Sequence, residues 1–300
     1  MNQPIKGIDS IAVIGPGLMG SGIAQVCAAG GYEVMLYGRH EDRLKAAIEK
    51  ITASYDRNLA RGRISAEERD EAINRIHPVT DLDSMHNCGM VIEAVSEDMA
   101  LKQKIFGQLN MLCPKNTIFA TNTSALSVSE IGEASGRSER FLGTHFFNPV
   151  HAMALVEIVK GNCTGADTLE TVKAFVASLG KTGVVVTDTP GFLVNRVLYA
   201  FRLEAMRCLQ EGVAGVEDID TAVKLGLGHP MGPFELNDFS GLDVSYTAMG
   251  YLYKCFGGEQ WKPNPLLEEL VKAGELGRKT GKGWYDYTTG EKKPRTDRSF

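Results

Sequence analysis

The sequence predicts an α/β protein in which a doubly wound, mostly parallel sheet is followed by an all-helical C-terminal domain. In the first part of the chain, short β-rich runs alternate with helical stretches, which is typical of a parallel sheet covered on both faces. Beyond Pro190 the strand patterns nearly vanish and helical patterns follow one another. We therefore expect one domain over residues 1–189, with a two-helix excursion near residues 41–75, and a helical domain over residues 190–300.

The composition excludes several classes of protein. The chain has 300 residues, of which 43% are hydrophobic and 23% are charged, as is typical of a soluble globular protein. The net charge of −5 argues against binding to nucleic acid or to an anionic membrane, and no apolar run is long enough to cross a bilayer. The six cysteines are scattered without a C-x-x-C pair, which predicts reduced thiols, no metal site and a cytoplasmic location.

A glycine-rich turn precedes the first helix. An apolar strand pattern over Ile11–Ile14 leads into a Gly-x-Gly-x-x-Gly sequence and a helical pattern over Leu18–Ala29. In a Rossmann-like unit, the first glycine allows the tight turn and the second lets the backbone approach a pyrophosphate. The third lets the helix pack closely against the strand. Free N–H groups and the helix dipole favour an anion there. The sequence therefore predicts a dinucleotide-binding turn formed by Gly15, Gly17, Leu18, Met19 and Gly20.

The residues that follow the second strand indicate whether the dinucleotide is NAD or NADP. Glu33–Tyr37 is a strand pattern, and an acidic residue that binds the ribose hydroxyls of NAD is expected to follow it. The chain instead has Gly38, followed by Arg39, His40 and Arg43. A carboxylate would repel a 2′-phosphate, whereas a guanidinium can bind one with two hydrogen bonds. We therefore favour NADP, with NAD still possible. The alternative is that Arg39 is a solvated loop residue and that shape holds the adenosine.

The remaining elements follow from hydrophobic periodicity. Further strands are expected at Val91–Val95, Thr117–Thr121, from Phe141 onwards, at Ala154–Val159 and at Gly183–Thr187. Further helices are expected at Glu41–Leu59, Ser65–Asn74, Met99–Leu112, Asp167–Leu179, Val194–Glu211, Val216–Leu225, Leu242–Lys254 and Leu266–Ala273. The turn between the first two of these helices has basic residues at Arg57, Arg61 and Arg63. This face is either simply solvated or receives a phosphorylated carrier.

Polar residues stand at strand ends, where ligands bind in doubly wound folds. The run Thr121–Ser124 directly follows one strand, although such a run is also a common helix N-cap. Glu157 lies between apolar neighbours and needs a partner, because burying an unpaired carboxylate is costly. His145 is the nearest candidate partner, and the pair indicates acid–base chemistry more strongly than a lone histidine does. Glu93 also interrupts an apolar run, in a way more typical of a capping group than of a catalyst.

Six motifs follow one another between Ile11 and Tyr287. They are Gly-Pro-Gly-Leu-Met-Gly, Thr121–Ser124, His145-Phe146-Phe147-Asn148-Pro149, Pro190–Arg196, Lys224–Pro233 and Gly277–Gly283. In this order they resemble the motifs of the L-3-hydroxyacyl-CoA dehydrogenases and of their bacterial 3-hydroxybutyryl-CoA branch. The resemblance implies a nicotinamide cofactor, an acyl-CoA substrate and a helical C-terminal domain that forms a homodimer.

The resemblance also implies roles for single residues. His145 matches the catalytic base of the family and is paired with Glu157, while Ser124 and Asn195 match its polar residues around the reacting oxygen. Positions that contact the cofactor are matched by Glu93, Asn148 and Lys279, and positions near CoA by Ser54 and Arg61. The chain departs from the family pattern at three positions. Gly38 replaces the usual acidic residue and puts a preference for NAD in doubt, His151 stands where proline is common, and Thr121 stands where serine is common.

The resemblance, together with the dinucleotide-binding turn, implies an NAD(P)-dependent enzyme that interconverts (S)-3-hydroxyacyl-CoA and 3-oxoacyl-CoA, with 3-hydroxybutyryl-CoA and acetoacetyl-CoA as the expected pair. One alternative is a dehydrogenase of a free hydroxy acid, similar to L-gulonate 3-dehydrogenase, but the basic residues Arg57 and Arg61 favour CoA. A second alternative is a non-catalytic protein similar to the lens crystallins related to this family. A purely structural role would not require Ser124, His145, Glu157 and Asn195 together.

Overall fold

The computed structural model describes residues 4–298 and residue 300. The chain divides into two compact units between Phe192 and Leu193. The boundary expected at Pro190 lies next to this division. The first unit contains a large β-sheet with helices, and the second consists mainly of helices.

The strands of the first unit form one eight-stranded sheet within the described residues. In chain order they are β1 (Ser10–Ile14), β2 (Glu33–Tyr37), β3 (Ile76–Val79), β4 (Met90–Glu93), β5 (Ile118–Thr121), β6 (Phe141–Phe146), β7 (Leu155–Lys160) and β8 (Thr182–Thr187). Their order across the sheet is β3-β2-β1-β4-β5-β6-β7-β8. Neighbouring strands are parallel except for β6 and β7. The predicted doubly wound, mostly parallel sheet is confirmed.

Helices cover both faces of this sheet. They are α1 (Leu18–Ala29), α2 (Glu41–Ala60), α3 (Ala66–Asn74), α4 (Met99–Leu112), α5 (Val128–Ala134) and α6 (Ala166–Ser178). Short 3-10 helices lie at Leu82–Met85 and Ser138–Arg140. Alternate residues of β1 enter two separate buried clusters, Ile11 and Val13 in one and Ala12 and Ile14 in the other. Because successive side chains of a strand point to opposite faces, both faces of the sheet are packed.

The strand β3 is not predicted from the sequence. It lies at one edge of the sheet and has four residues, one of which, Pro78, pairs with Leu36 of β2. Proline lacks a backbone N–H and is tolerated at an edge, so a short run that contains it is a weak strand signal. The helix α5, which begins after its cap Ser127, is also not predicted.

The second unit is built from α7 (Val194–Gln210), α8 (Val216–Leu227), α9 (Pro233–Ser240), α10 (Leu242–Phe256) and α11 (Pro265–Lys272). Short 3-10 helices lie at Glu259–Trp261 and Arg278–Thr280. The hydrophobic core of the second unit includes Leu203, Met206, Leu267 and Trp284. The predicted helical character is confirmed, and an antiparallel pair of short strands, β9 (Tyr285–Asp286) and β10 (Lys293–Pro294), is added to it. In the described part of the chain, no helix combines the length and apolar character that a bilayer span requires.

Candidate active site

The glycine-rich turn between β1 and α1 has the geometry that each predicted role requires. Gly15 has a φ of +106°, and a Cβ built there would lie 2.8 Å from the carbonyl oxygen of Ala94. A Cβ on Gly20 would collide with the carbonyl oxygen of Gly15, so turn and helix can approach this closely only with glycine. At Gly17 a built Cβ would meet no described atom within 4 Å beyond its chain neighbours. Phosphates of a ligand can therefore reach the backbone at this point.

A cavity of about 490 Å³ opens beside this turn. It is lined by the turn itself, by the residues that follow β2 and β4, and by one face of α4. Arg39, the residue predicted to bind a 2′-phosphate, lies in its wall with its neighbours His40 and Arg43, and α4 adds Lys104. Within the described residues, the side chains of Arg39, Arg43 and Lys104 form no ion pair or hydrogen bond. A cavity of this size with a positive wall suits a dinucleotide.

Glu93, at the end of β4, is fully buried and its carboxylate is used inside the fold. Its Oε1 accepts hydrogen bonds from the Val95 N–H and from Lys102 Nζ, each at 2.7 Å. Its Oε2 accepts one from Thr121 Oγ1, also at 2.7 Å. Lys102 is fully buried as well, and a buried pair of this kind persists because each charge has its partners. The side chain ties β4 to α4 and β5, and the cofactor contact implied for it stays a prediction.

Glu97 is a candidate functional residue that no sequence motif marks. Its Oε1 accepts hydrogen bonds from Thr123 Oγ1 at 2.5 Å, the Ser124 N–H at 2.8 Å and the Ala125 N–H at 3.1 Å. Its Oε2 lies 3.4 Å from Lys102 Nζ. The carboxylate thus fixes the loop after β5 that contains Ser124. The sequence marks Glu97 only as one of two adjacent acidic residues before α4. Its partners lie on a different loop, so no local pattern reveals them.

His145 and Glu157 form a buried pair. They are direct partners in the antiparallel ladder of β6 and β7, and His145 Nδ1 lies 2.7 Å from Glu157 Oε2. His145 is 5% exposed and Glu157 is fully buried. The rings of Phe147 and Phe192 lie 4.6 and 5.7 Å from the imidazole, measured between centroids. Since Nδ1 is held by the carboxylate, Nε2 is the ring nitrogen that can exchange a proton with a substrate.

The loop after β5 lies at the same edge of the sheet as His145. Asn122 Oδ1 accepts a hydrogen bond of 2.9 Å from the Phe146 N–H, which links this loop to the end of β6. Ser124 follows in the loop and is exposed. Because β5 and β6 are parallel neighbours, their carboxyl ends meet at one edge, where ligands bind in doubly wound sheets. Ser124 and His145 therefore belong to the same candidate site.

The residues implied for CoA binding lie at the C-terminal half of α2. Ser54 is buried, and its Oγ accepts a hydrogen bond of 3.0 Å from Gln25 Nε2. Arg61 caps the end of the helix and is exposed, as are Arg57 and Arg63. The hydroxyl of Ser54 is thus held between α1 and α2, while the guanidinium groups present positive charge on the surface.

A second cavity, of about 370 Å³, lies near this end of α2 and is lined in part by His151 and Lys181. Lys181 Nζ donates hydrogen bonds to the carbonyl oxygens of Val150 at 2.6 Å and Met153 at 2.7 Å. These bonds fix the loop between β6 and β7, which also contains the exposed residue Asn148. Two positions singled out in the sequence, His151 and Asn148, therefore lie on one anchored loop.

The second unit contains the two other predicted site residues. Asn195 is half-buried in the first turn of α7. Lys279 lies in a short 3-10 helix, and its Nζ donates a hydrogen bond of 2.5 Å to Asp243 Oδ1. A Cβ on Gly241 would lie 3.0 Å from this carboxylate oxygen, so the glycine leaves room for the pair. The Lys279 side chain is 47% exposed and can still reach an external anion.

Comparison with known proteins gives consistent matches over nearly the whole chain. Residues 10–189 match the family model for the 3-hydroxyacyl-CoA dehydrogenase NAD binding domain, and residues 191–287 match the model for its C-terminal domain. The chain is 42% identical over 280 residues to a probable 3-hydroxybutyryl-CoA dehydrogenase of Bacillus subtilis, covering 93% of this chain and 98% of that protein. It is 43% identical over 280 residues to the 3-hydroxybutyryl-CoA dehydrogenase of Bradyrhizobium diazoefficiens, covering 93% of this chain and 96% of that protein. The solved structure of (S)-3-hydroxybutyryl-CoA dehydrogenase from Ralstonia eutropha matches with a TM-score of 0.91 at 39% identity, covering 93% of this chain and 99% of that one.

Proposed function

The chain belongs to the 3-hydroxyacyl-CoA dehydrogenase family, and we propose that it interconverts a short-chain (S)-3-hydroxyacyl-CoA, such as 3-hydroxybutyryl-CoA, and its 3-oxoacyl-CoA. The observation that carries this proposal is the buried contact of 2.7 Å between His145 Nδ1 and Glu157 Oε2. Oxidation of a secondary alcohol needs a base for the hydroxyl proton while hydride leaves the carbon, and this pair supplies the base. The printed names of the bacterial relatives support the same substrate class.

His145 exchanges the proton through Nε2, because Glu157 holds Nδ1. In oxidation the neutral imidazole takes the proton of the C3 hydroxyl, and in reduction the imidazolium returns it to the C3 oxygen. Glu157 fixes the ring tautomer and stabilises the imidazolium. Its complete burial strengthens that stabilisation, because charges interact more strongly in a medium of low dielectric constant.

Ser124 and Asn195 orient the substrate in this proposal. Each can donate a hydrogen bond to the C3 oxygen or to the thioester carbonyl, which aligns C3 for hydride transfer and stabilises developing negative charge. Glu97 holds the backbone of the Ser124 loop, so the position of that hydroxyl depends on it. The residues therefore divide into a proton carrier, its partner carboxylate and two groups that position oxygen.

A nicotinamide dinucleotide is the cofactor that the first unit fits. The open space at Gly17 and the cavity of about 490 Å³ provide room for the pyrophosphate and the adenosine. The bound cofactor would accept or supply the hydride. The backbone of Leu18 and Met19, in the first turn of α1, would bind the pyrophosphate. Further contacts are proposed for Glu93, Asn148 and Lys279.

NADP is our proposed preference, with NAD as the alternative. Gly38 provides no carboxylate for the ribose hydroxyls, and Arg39 can bind a 2′-phosphate in the cavity. Arg39→Asp should lower kcat/KM for NADPH by roughly 10- to 100-fold and shift the preference towards NADH. Lys50→Asp, an equal change of charge on an exposed position of α2 outside this cavity, is the control. An unchanged ratio of the two efficiencies would show that Arg39 does not bind the phosphate.

CoA is the proposed carrier of the acyl group. Its phosphates would bind the exposed guanidinium groups of Arg57 and Arg61, beside Ser54. Steady-state kinetics with acetoacetyl-CoA, acetoacetate and L-gulonate test this, with NADP or NADPH and, separately, with NAD or NADH as the reaction requires. We expect the thioester to be used at least about a hundredfold more efficiently. Equal use of a free acid would favour the hydroxy-acid dehydrogenase, and turnover of none of them would favour the crystallin-like alternative.

We also propose a homodimer in the cytoplasm. The second unit exposes large apolar side chains, and an interface formed by this unit would bury them. Val213, Leu225, Leu227 and Phe239 are each at least 60% exposed. The described cysteines are free thiols, which suits a reducing compartment.

A further inference from the structure

Gly38, which replaces the usual acidic residue, is enclosed on two sides. It is buried, between the glycine-rich turn and the first turns of α2. A Cβ built on it would lie 2.7 Å from Pro16 Cγ, 3.1 Å from Pro16 Cδ and 3.0 Å from Leu44 Cγ. The Pro16 ring is closed onto the backbone of the turn, so its Cγ and Cδ can move only by a change of ring pucker or with the turn itself. Any side chain at this position would therefore displace the turn that is proposed to bind the pyrophosphate.

We propose that Pro16 is a specificity-determining residue for the cofactor. Its ring fills the space in which a side chain at position 38 would begin, and so excludes a carboxylate from the ribose end of the cavity. The consequence is a site matched to a ribose that bears a 2′-phosphate rather than a free 2′-hydroxyl. This inference rests on the proposed cofactor preference and names the contact that enforces it.

The charge of the cavity wall supports this assignment. Arg39 and Arg43 follow Gly38 along the chain, and Lys104 faces the same cavity from α4. Within the described residues none of these three side chains has an ion-pair partner. Glu41 and Asp42 lie in the first turn of α2 but are not among the residues that line the cavity. The cavity wall is therefore positive. Because position 38 has no carboxylate, that charge remains available to an anionic ligand.

Substitutions at the two positions test whether they are coupled. Gly38→Ala adds only the Cβ, and Gly38→Asp adds the carboxylate; each is made with Pro16 intact and together with Pro16→Ala. The dissociation constants of NADH and NADPH are measured by nicotinamide fluorescence, and thermal unfolding is measured for every variant. Gly107→Ala is the control for an added methyl group, because a Cβ there meets nothing within 4 Å among the described residues.

With Pro16 intact, Gly38→Ala should weaken binding of both cofactors by about tenfold, because the Cβ overpacks the turn. In the Pro16→Ala background the same change should cost less than about threefold, and it should also lower the unfolding temperature less. Gly38→Asp with Pro16→Ala should shift the preference towards NADH by about tenfold or more relative to Pro16→Ala alone. Gly107→Ala should leave both affinities as they are.

Equal losses in the two backgrounds, or tight NADH binding by Gly38→Asp with Pro16 intact, would overturn the role of Pro16. The preference itself is tested separately, by the ratio of NADPH to NADH affinity in the unsubstituted protein. A protein that prefers NADH would refute the proposed cofactor, whereas the coupling between positions 16 and 38 would still be decided by the difference between backgrounds.

Discussion

At the scale of single residues, Glu157 and Glu204 differ both in burial and in the role that we propose for them. Glu157 is fully buried opposite His145, at 2.7 Å from its Nδ1. Glu204 instead forms an exposed ion pair with Arg207 one helical turn away. A carboxylate in a medium of low dielectric constant acts strongly on a neighbouring imidazolium, whereas an exposed pair contributes little. The two residues therefore provide a matched comparison.

Removal of the charge at Glu157 should affect the chemical step. Glu157→Gln is expected to lower kcat for acetoacetyl-CoA reduction by about a hundredfold or more, because the imidazolium loses its stabilising partner, with little change in KM. Steady-state kinetics at saturating cofactor measure this, with Glu204→Gln as the control that should stay within about twofold of the unsubstituted protein. Activity of Glu157→Gln at the level of the control would exclude Glu157 from the mechanism.

Asp238 makes stability depend on pH. Burial raises the pKa of this carboxyl to about 6 from an ordinary 3.8, although it accepts hydrogen bonds from the Trp284 and Tyr285 N–H groups and from the Tyr287 hydroxyl. Between about pH 4 and pH 6 the folded protein therefore holds a proton that the unfolded chain has released. In this interval the contribution of Asp238 to stability falls as pH rises.

Unfolding of the unsubstituted protein and of Asp238→Asn at pH 4 and pH 7 tests this sign. Over that interval the unsubstituted protein should lose roughly 2 kcal/mol more unfolding free energy than the variant, because only it must give up the buried proton. Denaturant titration at each pH gives the two free energies. A loss of the same size in both proteins would show that Asp238 is not the group that titrates.

At the scale of elements, the loop after β5 depends on a side chain from the loop after β4. Glu97→Ala removes the acceptor of the Thr123, Ser124 and Ala125 donors and should lower kcat/KM for acetoacetyl-CoA by roughly 10- to 100-fold. Glu97→Gln keeps an acceptor oxygen and should lose less than about tenfold. Thermal unfolding checks that both variants fold. No loss in Glu97→Ala, or equal loss in both, would contradict this role.

Helices and strands whose hydrophobic residues recur with a clear period were predictable from the sequence. The expected bounds of Leu18–Ala29, Glu33–Tyr37 and Met99–Leu112 agree with the structure. The strand β3 was not predicted, because it has only four residues and contains Pro78, which weakens a strand pattern. The helix α9 was not predicted either, because its apolar and polar residues do not follow a clear helical period. The helix α11 has the same length and also begins with a proline, but its apolar residues follow that period and it was predicted at Leu266–Ala273.

The candidate site likewise contains residues that the sequence reveals and contacts that only the structure reveals. His145 and Glu157 are polar residues within apolar strands, and that contrast is visible in the sequence. Glu97 is not, because its partners belong to a loop whose approach depends on the packing of β4 beside β5. The contact of Pro16 with position 38 is also hidden, since it depends on how the turn meets the end of β2. Local patterns thus predict which residues are polar and buried, but not which separate loops meet.

At the scale of the whole molecule, the exposed apolar side chains of the second unit predict self-association. Light scattering should give a mass near twice 32.6 kDa. Leu225→Asp with Leu227→Asp places two charges on side chains that are 83% and 66% exposed, and should shift the mass towards the monomer. Met111→Asp, at 84% exposure in the first unit, is the control that should leave the dimer intact. A monomeric unsubstituted protein would contradict the proposal.

Reduction of acetoacetyl-CoA by the purified protein, followed through the loss of NADPH or NADH absorbance, decides whether His145 is the base of a 3-hydroxyacyl-CoA dehydrogenase. We expect turnover by the unsubstituted protein and a loss of about 10²- to 10⁴-fold in kcat for His145→Gln. His86→Gln, at an exposed histidine whose Nδ1 contacts the carbonyl oxygen of Asp83, should retain full activity. No turnover with either reduced cofactor, or equal activity of the two histidine variants, would contradict the proposed function.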